Sequence, residues 1–250
     1  MKRLLIIVFL LLSAQLFSQS ADVLLKEAAN LERSVKEEAA LEKYKQVLAA
    51  DSNNVKALVR SSELSSAIGA RQHDKNTKTA YYNNARAYAD KAIFKDPKST
   101  DPYRVRAVAA AKLTEVETEN KKLIANVRDI KIYADKALAI NPDNGKANYI
   151  LGKWNYEMVT MPWAKKAAVR VLFGGMPEAT LENTYKYMEK CKTLEPYFVL
   201  NYLDLAKAYK YDHKPAKAIE VLNQMVKLPT RTEDDAALKS EGKKMLSEMQ

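Results

Sequence analysis

The chain has 250 residues, of which 41 are Lys or Arg and 31 are Asp or Glu, so its net charge at pH 7 is +10. A single cysteine excludes an internal disulfide, so stability has to come from an apolar core, which a chain of this length can supply. The mild positive charge favours anionic partners, but no basic run is dense enough to predict binding of nucleic acid.

Residues 1–20 have the composition of a secretory signal peptide. Lys2 and Arg3 precede an apolar run from Leu4 to Leu12, and a cleavage region with small residues follows at 18–20. A membrane-spanning helix needs about 20 apolar residues, so an uncleaved anchor is the less favoured alternative. We expect a protein exported through a cleavable signal, in the bacterial periplasm or envelope or otherwise secreted, with its mature part beginning at Ala21.

The chain contains internal repeats. The pentapeptide Tyr-Ala-Asp-Lys-Ala occurs at 88–92 and again at 133–137, and a proline follows each copy, at Pro97 and at Pro142. A weaker copy at 187–191 precedes Pro196 in the same way. Self-similarity of this kind is typical of a solenoid, whose units bury their apolar faces against their neighbours. The sequence therefore predicts an all-α repeat protein.

The repeats resemble tetratricopeptide (TPR) hairpins. Small residues spaced by four and three positions, such as Ala85, Ala89 and Ala92, lie on one face of the second helix and let two antiparallel helices approach closely. The motif expected in the first helix of a TPR hairpin is clearest near the end of the chain, at Tyr202, Leu205-Ala206 and Tyr209. The resemblance implies a right-handed α-solenoid of helical hairpins, each closed by a proline or its equivalent.

Five units fit this pattern, followed by a polar-backed capping helix, and together they predict one domain over 21–250. The units are 21–54, 55–99, 100–144, 145–198 and 199–232, and the cap is 233–249. The second and third units are longer than the usual 34 residues, which predicts two elongated hairpins, and the fourth carries an inserted helix. A period near 45 residues also suits HEAT-like repeats, so a HEAT-like solenoid is the alternative.

The fourth unit carries the most specific resemblance. Residues 151–157 read LGKWNYE, and residues 161–177 read MPWAKKAAVRVLFGGMP. The stretch 151–196 resembles the TPR-like domain of the regulator of microtubule dynamics family, which has Leu-Gly-x-Trp-x-Tyr-Glu, then Pro-Trp, then a basic helix ending in Phe and a turn containing Pro. The resemblance implies a helical interaction domain associated with membranes or cytoskeletal partners.

Residues suited to catalysis are few. His73 and His213 fall in predicted hairpin turns, and Cys191 replaces a packing alanine, which favours a buried, inert thiol. The sequence has no glycine-rich phosphate loop, no His/Cys cluster with metal-ligand spacing and no serine nucleophile elbow. We expect a non-catalytic protein without a cofactor or a bound metal.

The positions that line a TPR groove can be read from the register of the first helices. In units three to five they hold mainly basic residues and tyrosines, which predicts a basic, Tyr-containing concave face that binds an acidic protein or peptide. The predicted groove residues are Arg104, Lys112, Tyr149, Lys153, Tyr156, Lys207, Lys210 and Tyr211. The alternative is that these side chains only form the hydrated surface of a lysine-rich helical protein and bind no partner.

The insertion 161–176 suggests a second function, that of a lipid-binding or membrane-docking module. Trp163 beside basic residues would form an interfacial helix on an anionic membrane. The predicted contact residues are Trp163, Lys165, Lys166 and Arg170. Because the insertion is tethered at both ends, we expect Trp154 and Trp163 to pack into the core rather than to contact lipid.

Overall fold

The structure is a computed structural model that describes residues 21–173, 175 and 178–249, apart from the side chains at 164, 165, 168, 172 and 173. The predicted signal peptide lies outside these residues, and so do Gly174, Met176 and Pro177 of the Pro-containing turn in the fourth unit. Within the described ranges all regular secondary structure is helical, which confirms the all-α prediction.

Twelve α-helices form in the described part of the chain, and they pair into hairpins. They are α1 (21–33), α2 (Glu37–Ala50), α3 (Val55–Arg71), α4 (Lys75–Lys95), α5 (Thr100–Thr114), α6 (Asn120–Ile140), α7 (Gly145–Thr160), α8 (Trp163–Phe173), α9 (Leu181–Leu194), α10 (Val199–Tyr211), α11 (Pro215–Met225) and α12 (Asp235–Ser247). Each predicted unit holds one hairpin, α8 is the inserted helix between α7 and α9, and α12 falls in the predicted cap.

Local sequence signals fix where the helices begin and end. Asn54, Asp74, Asn144 and Thr180 each cap a helix, because each side chain accepts a hydrogen bond from a backbone N–H in the first turn. The repeated prolines follow the last helical residue of α4, α6 and α9 by two positions. A proline there cannot continue the helix, so it starts the turn into the next hairpin.

The two shortest hairpins close through the same backbone motif. Val35 and His213 both have positive φ, 55° and 53°, and each is the left-handed residue after a helix. The next amide donates back five residues, from Lys36 to the Leu31 carbonyl and from Lys214 to the Tyr209 carbonyl, both at 2.9 Å. This is the Schellman termination. It confirms His213 as an exposed turn residue, and His73 is likewise exposed, in the α3–α4 turn.

The described part of the chain divides into two compact units, one that ends at Pro97 and one that begins at Lys98. In the first unit, α1 to α4 pack around a core that includes Ala28, Tyr44, Val47 and Ile68. The Tyr44 hydroxyl reaches out of this core and donates to Glu32 at 2.6 Å. The polar end of the ring is therefore paired while the ring itself is buried.

The second unit contains two apolar clusters. One joins α5, α6 and α7 and includes Ala134, Leu151 and Trp154. The other joins α9, α10, α11 and α12 around Leu205 and Met225. The helices α7 and α10, which carry most of the predicted groove, are thereby fixed from behind by buried side chains.

Close approach of paired helices depends on small residues at their contact face. Ala85, Ala89 and Ala92 of α4 are fully buried where α4 packs on α3. In the fourth unit Gly152 of α7 faces α9 so closely that an added Cβ would lie 2.6 Å from Met188 Cγ and 3.2 Å from the Met188 backbone nitrogen. A side chain of any size at position 152 would push the two helices apart.

We predict that Gly152→Ala destabilises the protein by up to about 2 kcal/mol, because overpacking costs about 1–3 kcal/mol and the better helix propensity of Ala returns about 1 kcal/mol. Urea unfolding followed by circular dichroism measures the change. Gly242→Ala is the comparison variant, since its closest clash is with the terminal methyl of the Met225 side chain, whereas backbone atoms also lie within 3.3 Å of an added Cβ at position 152. A gain in stability of about 1 kcal/mol, the helix-propensity benefit of Ala with no overpacking cost, would contradict the packing described for α7 and α9.

Candidate functional site

Six of the eight predicted groove residues come together on two neighbouring helices. Tyr149, Lys153 and Tyr156 belong to α7, and Lys207, Lys210 and Tyr211 belong to α10. The helices α7, α10 and α12 lie side by side in that order. We call the surface formed by these six residues the α7–α10 face.

The centre of the α7–α10 face is a buried carboxylate that the sequence reasoning missed. The Asp204 side chain is 3% exposed. Its Oδ2 accepts a hydrogen bond from the Tyr149 hydroxyl at 2.7 Å, and its Oδ1 lies 3.3 Å from Lys153 Nζ. Asp204 stands between Leu203 and Leu205, which the structure shows to be fully buried, and a buried acid needs partners.

Alternating charges continue outward from Asp204. Lys153 Nζ lies 3.4 Å from Glu157 Oε1. On the other side Lys207 Nζ lies 3.9 Å from Asp204 Oδ1 and 2.8 Å from Glu241 Oε1 of α12. We call this sequence of five side chains, Glu157, Lys153, Asp204, Lys207 and Glu241, the charge ladder. The lysines predicted to make this face basic thus lie beside carboxylates.

The third lysine of the face is more accessible. Lys210 Nζ lies 3.8 Å from Glu248 Oε2 of α12, and its side chain is 49% exposed. The charged side chains of α10 thus contact a lysine of α7, Lys153, and two acids at α12, Glu241 and the C-cap residue Glu248.

Protonation states at the centre are fixed by burial and by Asp204. Burial, and then the Asp204 carboxylate, raise the pKa of Tyr149 well above its ordinary value. Burial lowers the pKa of Lys153, but Asp204 and Glu157 outweigh it, so that pKa lies above its ordinary value. Tyr149 is therefore neutral and Lys153 is charged near pH 7. Neither group is a base or a nucleophile.

Aromatic rings form the outer edge of the face. Tyr156 and Tyr211 meet edge to face, with ring centroids 6.2 Å apart, and Lys153 Nζ lies 5.7 Å from the Tyr156 centroid. Tyr211 remains 49% exposed. A partly exposed aromatic pair beside accessible lysines is an arrangement that protein-binding surfaces commonly use.

Two predicted groove residues lie apart from this face, on α5. Arg104 is buried, and its Nε contacts Asp101 at 2.9 Å. Lys112 pairs with Glu115 at 2.7 Å. Both cations are engaged within α5 and its C-terminal cap, so the structure gives them no part in the α7–α10 face.

The two tryptophans have opposite environments. Trp154 is 2% exposed, and its indole N–H donates to the Val127 carbonyl at 3.2 Å, which confirms its predicted packing role. Trp163 is 83% exposed, so the prediction that it packs into the core is wrong. The physical reason is that α8 rests on its other side, where Val169 is buried. The side chain of Lys165, another predicted contact residue, lies outside the described residues.

The remaining candidates for chemistry are structural. Cys191 is fully buried, and burial raises the pKa of its thiol to about 12, so it is an inert packing residue, as predicted. Among the residues that the structure describes, no group of His, Cys, Asp and Glu is arranged to hold a metal ion. None of the described helices combines the length and the apolar run needed to span a bilayer.

We predict that Asp204→Asn destabilises the protein by about 2–3 kcal/mol, because it leaves the partly buried Lys153 ammonium and the Tyr149 hydroxyl without their charged acceptor. The measurement is urea unfolding at pH 7. Asp143→Asn is the matched control: it breaks a 2.9 Å pair with Lys190 in which Asp143 is 72% exposed, and it should cost less than about 1 kcal/mol. Similar losses for the two variants would show that Asp204 does not organise the face.

Sequence comparison identifies a family. The sequence model described as regulator of microtubule dynamics protein 1-3 matches residues 18–250. Regulator of microtubule dynamics protein 1 of Mus musculus is 28% identical over 162 residues, covering 64% of this chain and 52% of that protein. Protein 2 of Bos taurus is 28% identical over 184 residues, covering 73% of this chain and 43% of that protein. The chain thus spans about half the length, or less, of these relatives.

Structure comparison supports the repeat architecture. A crystal structure of a thermophilic TPR protein from Thermus thermophilus superposes with a TM-score of 0.65, covering 91% of this chain and 99% of that one. Its sequence identity is 14%, so this likeness shows the fold alone.

Proposed function

Because the chain belongs to the regulator of microtubule dynamics family and folds into TPR-like helical hairpins, we propose that it is a non-catalytic scaffold that binds a protein or peptide partner. TPR-like domains typically mediate protein binding, and proteins of this kind are generally not catalysts. The observation that carries the proposal is the Tyr156–Tyr211 pair, half-buried at Tyr156 and exposed at Tyr211, beside Lys207 and Lys210 on the α7–α10 face.

The geometry refines the chemistry of the partner. Lys153 is paired with Asp204 and Lys207 is paired with Glu241, so an acidic partner has to share or displace those contacts. Lys210 is the most accessible cation of the face, and its own carboxylate partner is 3.8 Å away. We therefore propose that acidic side chains of the partner engage Lys210 and Lys207, while an apolar or aromatic group packs on Tyr211.

We propose membrane docking through the insertion 161–176 as a second function, favoured by one specific observation. Trp163 and Val171 are 83% and 79% exposed on α8, where packing into the core had been expected for the tryptophan. Contiguous apolar side chains exposed on a surface mark protein or membrane interaction sites, whereas single scattered ones do not.

Three of the properties proposed from the sequence remain predictions. They are the cleavable export signal at 1–20, the single domain over 21–250 and the right-handed course of the hairpins. The mass of the protein isolated from its own cells tests the first, because an uncleaved chain would retain all 250 residues. Small-angle scattering of the purified protein tests the single domain, and a crystal structure tests the handedness.

We predict that the double variant Tyr156→Ala/Tyr211→Ala captures at least about tenfold less partner than the unchanged protein, because central aromatic residues dominate binding energy at such surfaces. The protein is crosslinked mildly in its own cells, and the partner is quantified by mass spectrometry. Tyr197→Ala is the control, since Tyr197 is 46% exposed but lies in the α9–α10 turn, beneath Arg231.

Charge reversal separates the kinds of partner. Lys207→Glu/Lys210→Glu abolishes capture of an acidic partner but increases capture of a basic one. Undiminished capture by both double variants would refute binding on the α7–α10 face.

A further inference from the structure

Helix α8 presents a continuous apolar stripe to solvent. Trp163, Ala167 and Val171 are exposed, and Arg170 is exposed beside them. At 3.6 residues per turn these four positions fall within an arc of about 100°. That is the width of an apolar face with which an amphipathic helix covers a surface.

The opposite side of α8 holds the helix in place. Val169 is 6% exposed, and the Lys166 ammonium donates to the Val159 carbonyl at 2.9 Å, near the end of α7. Just before α8, Met161 packs against the cluster around Trp154. Because α8 is attached through this side, its exposed stripe is presented on a fixed support rather than on a free loop.

Charge in this segment is entirely positive. Residues 158–177 contain Lys165, Lys166 and Arg170 and no Asp or Glu, whereas acids flank the segment at Glu157 and Glu178. A local run of 20 residues without an acid is unusual in a chain with 31 acidic residues, and it leaves the Arg170 guanidinium without an acidic side chain on its own helix. The stripe therefore combines apolar side chains with unopposed positive charge.

We propose that α8 docks side-on onto an anionic lipid surface, with Trp163 and Val171 inserted at the interface and Arg170 at the headgroups. This inference rests on the membrane-docking function proposed above and names its lipid class and its inserting residues. Tryptophan favours the boundary between headgroups and acyl chains, and basic residues beside it bind anionic headgroups. A helix of eleven residues is about 16 Å long, so it lies in the plane of the interface.

Charge complementarity is the reason to assign lipid rather than a second copy of the chain. In a contact between two copies related by a two-fold axis, the α8 segments would face each other and bring like charges together. An anionic bilayer instead matches both the apolar stripe and the positive charge. Binding through one short helix is weak and reversible, so it depends on anionic lipid and falls as salt rises.

Trp163 supplies a direct probe of this docking in the full chain. The chain has two tryptophans, and residues 1–20 contain none, so the apolar N-terminal segment cannot produce the signal. Trp154 is buried and reports a constant background. Emission and iodide quenching are measured with vesicles of phosphatidylcholine alone, and with vesicles of equal parts phosphatidylcholine and phosphatidylglycerol, at low and high salt.

We expect the anionic vesicles to shift Trp163 emission to the blue and to reduce its quenching at least threefold, with no change on neutral vesicles. Arg170→Gln/Val171→Ser should lower vesicle binding at least tenfold. The control is Phe94→Ser, which removes an exposed aromatic side chain from α4 instead of α8 and should leave vesicle binding unchanged. Trp163→Phe should remove the vesicle-dependent change and retain the emission of Trp154.

Contrary outcomes distinguish this inference about anionic lipid from the membrane-docking function on which it rests. Equal shielding on neutral and anionic vesicles, or full binding by Arg170→Gln/Val171→Ser, overturns this inference but leaves membrane docking in place. No shielding on either vesicle at low salt overturns both. A blue shift that grows with protein concentration without lipid assigns the stripe to contact between copies and overturns the inference.

Discussion

The close approach of paired helices is the constraint on which the rest of the structure depends. Side chains as small as Ala89 and Gly152 at the contact faces allow each hairpin to close, and larger buried residues then fill the space between neighbouring hairpins. Because α7 and α9 are held together at Gly152, the opposite side of α7 is fixed relative to α10. The α7–α10 face is therefore built on rigid elements, which is what a binding surface with defined side-chain geometry requires.

A buried acid, Asp204, fixes the positions of charged side chains on this face. Asp204 receives the Tyr149 hydroxyl and the Lys153 ammonium, and Lys207 lies between Asp204 and Glu241. The lysines are ordered by these contacts rather than free in solvent. A partner that meets the face thus finds cations in fixed positions, with part of their charge already compensated. Such an arrangement favours specificity over strong nonspecific attraction of acidic molecules.

The repeat pattern predicted the hairpins because their determinants are local: small residues spaced by three and four positions, caps such as Asn144, and a proline after the helix. Asp204 was missed because the TPR repeat pattern predicts which positions face the groove and which face the core. It does not predict that a carboxylate of α10 will pair with side chains of α7, a helix distant in the sequence. Trp163 was misassigned because the sequence pattern of α8 does not say which side of the helix contacts the protein. In the structure that side carries Val169, which is buried, and Lys166, which donates to the Val159 carbonyl.

Site-specific photo-crosslinking tests most directly whether the α7–α10 face is where a partner binds. A photoreactive phenylalanine analogue replaces Tyr211 in one variant and Tyr197, an exposed tyrosine outside the face, in another. Irradiation in the native cells followed by mass spectrometry should give a discrete protein or peptide adduct at position 211 and none at position 197. Equal labelling at both positions, or a specific adduct at 197 alone, would contradict the assignment of this face as the binding surface.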